Sequence, residues 1–225
     1  MTAALAVAPT RSTSTGRLLL AGAVAGPLFV TAVLAQAYTR TGFDPARHPL
    51  SSLALGDLGW LQIVNFVACG ALTVAGAVGL RRALRTGRAS TWAPRLVGLG
   101  GVALMVAGVF PADPVNGYPV GTADAVTATG IVHSMAPAVA GIAGLIAYVV
   151  FARRFAADRE RGWLAWTVAA PIAILATDAV AFTAGDFRAM LIGQLIGAAW
   201  TTSICLKLYP ASDERAQRLR SDSVA

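Results

Sequence analysis

Six apolar runs, each close to the length at which a helix crosses a bilayer, take up most of this sequence and decide what it can fold into. They extend from Leu18 to Tyr38, Leu58 to Leu80, Pro94 to Phe110, Thr129 to Phe151, Trp163 to Phe182 and Arg188 to Leu208. A hydrocarbon core about 30 Å thick is spanned by roughly 20 apolar residues in helical conformation. The third run is short and is expected to borrow a turn from its flanks. Composition agrees: 56% of residues are apolar and only 13% charged, where a soluble domain carries about a quarter charged. A soluble enzyme and a disordered chain are both excluded. The predicted fold class is therefore all-α, an integral membrane bundle of six transmembrane helices. Residues 1–17 form an N-terminal segment, 18–208 the membrane domain and 209–225 a polar, solvated tail.

The positive charges give the threading, because loops kept in the cytoplasm carry the excess of Arg and Lys. Of the 18 such residues, Arg11, Arg17, Arg81, Arg82, Arg85, Arg88, Arg95, Arg153, Arg154, Arg159, Arg161, Lys207, Arg215, Arg218 and Arg220 fall on one side. Only Arg40, Arg47 and Arg188 fall on the other. Both termini are thus expected in the cytoplasm of a multi-pass cell-membrane protein. The net charge of +7 reads as topology and attraction to anionic membrane lipids, with no nucleic acid as partner. A competing reading takes the first run as a cleaved signal peptide ending near Ala35-Gln36-Ala37, which would leave five spans.

Lipid supplies no hydrophobic drive between helices, so small residues that let backbones approach are the expected contact faces. Gly22 and Gly26, Gly70, Gly76 and Gly79, Gly98, Gly101 and Gly108, Gly141 and Gly144, and Gly193 and Gly197 supply them on five spans. Ala169, Ala170 and Ala173 do so on the fifth. Trp60, Trp92 and Trp163 stand at span ends as interfacial anchors. Cys69 and Cys205 lie at different depths and read as packing residues rather than a disulfide.

Polar side chains that hydrocarbon should exclude gather toward the extracytoplasmic side. Gln36, Gln62, Asn65, Asp113, His133, Ser134, Asp178 and Gln194 place such a group near that end of every span. The first two outer loops add Asp44, His48, Ser51, Ser52, Asp57, Asn116 and Asp124. An outward-facing polar pocket is the economical reading; scattered residues hydrated at their own headgroup level are the alternative. Pro137 has no N–H for the carbonyl of His133, so a kink or a bound group is expected there. Asp113 and Asp178 fall near helix C-termini, where the dipole disfavours a carboxylate, and an Asp178 to Arg188 pair is expected. Asp44-Pro45 predicts a capped interfacial helix, and Asp57 is expected to cap the second span.

Gly42-Phe43-Asp44, Arg47-His48-Pro49-Leu50-Ser51-Ser52-Leu53, Gly56-Asp57-Leu58-Gly59-Trp60-Leu61-Gln62 and Asn65-Phe66 together resemble the first outer loop and second helix of a bacterial membrane family. That family is known only as domain-of-unknown-function family nine-nine-eight. Phe110-Pro111-Ala112-Asp113 and His133-Ser134 are similar to later parts of its pattern, over roughly residues 18 to 208. The resemblance implies a multi-span bacterial membrane protein and matches His48, Ser51, Asp57, Asp113 and His133 to its polar positions. It implies no reaction.

Several functions are compatible with these residues. The leading reading is a pocket that binds a lipid or small amphiphile without changing it, with His48, Asp57, Gln62, Asn65, Ser134 and Gln194 as binding groups. A structural or partner-binding membrane subunit is a further reading. The runner-up is a membrane hydrolase or acid–base enzyme acting on a lipid or isoprenoid, with His133, Asp113, Asp178 and Ser51 as catalytic candidates. In its metal-dependent form, zinc or another divalent metal would sit on His48 and His133 with Asp113 or Asp178. The spacing fixes no such site, and no GxSxG elbow surrounds a serine. Haem between the two histidines is disfavoured because His48 falls in a loop. No midplane acid or broken-helix pair argues for transport.

Overall fold

The computed structural model describes residues 11–221, with side chains from 14 to 209. Six α-helices account for most of it: α1 (Arg11–Thr39), α2 (Gly59–Ala83), α3 (Trp92–Val109), α4 (Ala128–Ala157), α5 (Arg161–Ala184) and α6 (Arg188–Ser221). A turn of 3-10 helix, Leu50–Ala54, precedes α2, and no strand occurs among the described residues. All six helices are long and apolar enough to cross a membrane. This is a multi-pass membrane bundle.

The helix ends differ from the sequence expectation where charge begins. α4 continues past Phe151 through Arg153 and Arg154, and α6 past Leu208 to Ser221. Hydropathy locates the oily part of a helix, while backbone hydrogen bonding carries the helix on into the headgroups. The segment expected as a solvated tail is thus helical as far as Ser221, and 222–225 lie outside the described residues. The short third span borrows Trp92 and Ala93 before Pro94, whose missing N–H costs nothing in a first turn.

The helices contact one another in chain order, and α1 closes the ring against α6. Glycine makes the tight interfaces. A Cβ on Gly22 would lie 2.8 Å from the Gly76 Cα, and one on Gly26 would lie 2.7 Å from the Ala198 Cβ. Gly70 meets the Gly101 carbonyl across α2 and α3 in the same way. Gly141 and Gly144 depart from this pattern, since a Cβ on either would meet nothing within 4 Å. Correspondingly, α4 and α5 share the smallest interface of the ring.

Inside α1, Pro27 leaves the Ala23 carbonyl without its helical donor. The Thr202 hydroxyl of α6 supplies one at 2.7 Å, turning a broken bond into an interhelical one. Similar links join α5 to α6, where Trp200 donates to Thr167 and Trp166 to Ser203, each at 3.1 Å. The centre of the ring is filled at the arginine-rich end by Leu19, Leu80, Phe151, Phe155, Trp200 and Ile204. At the opposite end, where the 40–58, 110–127 and 185–187 loops gather, a smaller cluster of Val33, Phe43, Leu53, Tyr118 and Leu191 packs beneath the loops. Cys69 and Cys205 are buried and unbridged.

Candidate functional site

The loop end is organised around Arg40, one residue past α1. Its guanidinium donates to the carbonyls of Leu53 (2.5 Å), Leu55 (3.3 Å) and Leu58 (2.7 Å) and to Gln36 Oε1 (2.7 Å). Only a planar fork of donors can serve so many acceptors at once. From there the bonds run inward. Gln36 donates to Gln62 Oε1 (2.8 Å), Asn65 donates to the same oxygen (3.3 Å) and to the Phe29 carbonyl (3.2 Å), and the Cys69 thiol donates to Asn65 Oδ1 (3.3 Å). Gln36, Gln62 and Asn65 are thereby brought together, buried between α1 and α2. Gln62 Nε2 and Ser52 Oγ are buried in this region without a protein partner among the described residues. Arg40 was not singled out in the sequence as a site residue. Its place four residues after Gln36, on the same helical face, is the signal that could have found it.

The two histidines hold structure. His48 Nδ1 accepts from the Asp44 N–H (2.9 Å), which leaves the proton on Nε2, facing the Asn116 carbonyl at 3.2 Å. Asn116 in turn donates to the Arg47 carbonyl (2.8 Å), and the Phe43 and Tyr118 rings flank the imidazole. His48 is a clamp between the first and second loops. His133 Nδ1 faces the Ala107 (2.9 Å) and Phe110 (2.8 Å) carbonyls, which α3 leaves free at its C-terminus. No group of three or more His, Cys, Asp or Glu side chains close enough to hold a metal occurs among the described residues. Ser51 makes no hydrogen bond to either histidine among those residues.

Several acidic residues sit otherwise than expected. Asp113 lies past the end of α3 and folds onto the start of α4, where the dipole favours it. It accepts from the Thr127 N–H (2.8 Å) and hydroxyl (2.6 Å), while Thr127 accepts from the Gly130 N–H (3.1 Å) as the N-cap of α4. Those two Thr127 bonds hold the Asp113 carboxyl below the usual carboxylate range. A depressed pKa contributes stability above the unfolded value, and that contribution is lost as pH falls through the folded value. Acidification from about pH 5 downward should therefore destabilise the protein, and Asp113→Asn should show a smaller acid-side loss. Melting temperatures in detergent at neutral and acidic pH check this; identical acid profiles for the two proteins would contradict it.

The expected Asp178 to Arg188 pair does not form. Arg188 is claimed by its near neighbour Asp186, with Nε bonds at 2.9 and 3.1 Å, because two residues of turn bring them together more cheaply than a helical span. Asp57 is exposed and caps nothing: α2 begins after Leu58 with no side-chain cap bond. Asp44-Pro45 opens a tight turn, with Asp44 Oδ1 accepting from the Ala46 N–H (2.9 Å), and the short helix follows only at Leu50.

Ser134, Asp178 and Gln194 occupy a different setting. Ser134, Pro137, Gly141, Gly144 and Tyr148 repeat at three- and four-residue spacing and so form one face of α4. At the arginine-rich end this face is closed, since the Tyr148 ring lies 4.3 Å from that of Trp200 on α6. Above it the face is open: Ser134, Pro137 and Gly141 are exposed, and nothing approaches Gly141 or Gly144. On α6, Gly193 and Gly197 face α5, Ile204 lies in the core and Gln194 is exposed. Asp178 of α5 reaches toward α6, its Oδ1 3.5 Å from where a Cβ on Gly193 would stand. The α4 face is thus packed at one end and borders open space, the gap, at the other. The expected set of His48, His133, Asp113 and Asp178 does not line this gap as a unit, because the histidines and Asp113 are spent on loop and helix ends.

No curated protein and no solved structure matches the chain. One family model does, that described as a protein of unknown function, DUF998, over residues 23–206. The match runs from within α1 to within α6 and so takes in the whole six-helix ring and all three loops at the loop end. The chain belongs to the DUF998 family of proteins of unknown function.

Proposed function

We propose that this chain sits in the bacterial cytoplasmic membrane with its arginine-rich end in the cytoplasm, and holds one lipid or other small amphiphile, such as an isoprenoid, in the extracytoplasmic gap between α4 and α6. The observation that carries the reading is the α4 face from Ser134 to Tyr148, packed below and bare above. Fourteen helical steps give it a length of about 21 Å, enough for a polar head at Ser134 and Gln194 and an apolar tail running down the glycines to the Tyr148–Trp200 floor. An opening at this depth faces acyl chains on its lateral side, so an amphiphile is the occupant that meets it in the right orientation. Binding is favoured over hydrolysis because His48, His133 and Asp113, the groups a reaction would draw on, are already hydrogen-bonded to the fold.

Native mass spectrometry of the protein released from lipid nanodiscs tests the reading. One bound amphiphile per chain is expected, and Gly141→Leu, whose Cβ would meet nothing within 4 Å, should remove it while keeping the wild-type melting temperature. An equal adduct on both proteins, or none on either, would refute the site.

A further inference from the structure

Beside the gap, α4 and α5 carry three hydrogen-bond acceptors, one of them a carboxylate with no counter-charge. Asp178 has no hydrogen-bond or ion-pair partner among the described residues, and no cationic side chain acts on it. Arg188, the cation nearest in sequence, is held by Asp186 and lies within electrostatic reach of Tyr38 and Asp44, on the α1 side. Asp178 also stands in the last two turns of α5, where the helix dipole adds negative potential. The Ser134 hydroxyl spends its proton on the Gly130 carbonyl (2.9 Å) and has only lone pairs left to offer.

Pro137 adds a third acceptor. It has no N–H for the His133 carbonyl, and among the described residues no side chain replaces the missing donor. The equivalent break at Pro27 is repaired by Thr202. The unrepaired carbonyl lies on the Pro137 side of α4, the side that borders the gap.

From these three groups we infer that the amphiphile carries a cationic, hydrogen-bond-donating head, a primary or secondary ammonium, set against Asp178 with Ser134 and the His133 carbonyl as further acceptors. The inference rests on the amphiphile reading above and assigns the charge of the ligand. A low-dielectric carboxylate discriminates strongly between head-group charges. An anionic head would be repelled, and an uncharged one would bind only through its chain.

The test uses three tail-brominated probes with the same alkyl chain and an ammonium, a carboxylate or a sugar as head, added to the full-length protein in detergent, with quenching of tryptophan fluorescence as readout. The ammonium probe should quench saturably at about tenfold or more lower concentration than the sugar probe, and the carboxylate probe should bind weakest. In Asp178→Asn the ammonium and sugar probes should become equivalent, with sugar-probe binding unchanged. Saturable quenching by all three probes without a head-group preference in the wild type would overturn the charge assignment alone. Equal loss of all three in an Asp178→Asn protein of wild-type melting temperature would also overturn it, since the carboxylate would then shape the gap rather than read charge. No saturable quenching by any probe would overturn the amphiphile reading itself.

Discussion

Gly76→Ala should lower the stability of the bundle by about 1–3 kcal/mol, whereas Gly141→Ala, the same change in another span, should leave it unchanged or slightly raised. The added methyl on Gly76 would stand 2.5 Å from the Gly22 Cα and 3.1 Å from its nitrogen. Both contacts are with backbone, so no rotamer change relieves them, and α1 and α2 must separate. In a membrane bundle that separation removes dispersion contacts directly, with no hydrophobic term to offset the loss. Gly22 also meets the Cys205 thiol, so movement of α1 disturbs the α6 interface as well. At Gly141 the methyl enters open space and the chain gains helix propensity, at most about 1 kcal/mol. Thermal unfolding of the two variants in one detergent compares them. A comparable loss at both positions would mean that Gly141 is packed and the gap closed.

Arg40→Ala should have the second large effect, a loss of about 2–3 kcal/mol. Removing the guanidinium strands the Leu53 and Leu55 carbonyls and Gln36 Oε1 together and leaves the Leu58 carbonyl only the Leu61 N–H. Gln36 then loses its orientation toward Gln62, and the buried amide chain through Asn65 to Cys69 loses its anchor at the surface. Arg40→Lys should recover less than half of the loss, because a point ammonium on a flexible stem cannot reproduce the fork. Melting temperatures of the two variants check this; full rescue by lysine would show that charge alone, and not the four-acceptor geometry, secures the loop end.

The spans were legible in the sequence because a helix rise and a bilayer thickness together fix the length of an apolar run. Their ends were less so, since Arg153 and Arg154 leave the hydrocarbon without leaving α4. The clustering of Gln36, Gln62 and Asn65 near one end was also legible, as depth is a property of position along a helix. Their partners were not, because those depend on how α1 is rotated against α2. Asp113 shows the same limit across a loop: sequence proximity assigned it to the end of α3, while the loop returns it to Thr127 at the start of α4. His48 likewise depends on Asn116, far along the chain. The stripe of Gly141 and Gly144 misled for a different reason. Small residues on one helix face permit either close packing or a void, and only the placement of α6 distinguishes the two.

The gap beside α4 is tested most directly by nitroxide spin labels placed singly along α4, at 136, 141 and 142, with Cys69 and Cys205 replaced by alanine. Position 136 faces α3 and is buried, while 141 and 142 are both exposed, 141 on the face it shares with Ser134 and Gly144 and 142 beside it. The label at 136 should be immobile and those at 141 and 142 mobile, and an added alkylammonium amphiphile should immobilise 141 while leaving 142 unchanged. A label at 141 as immobile as that at 136, or one that stays mobile at saturating amphiphile, would contradict the site.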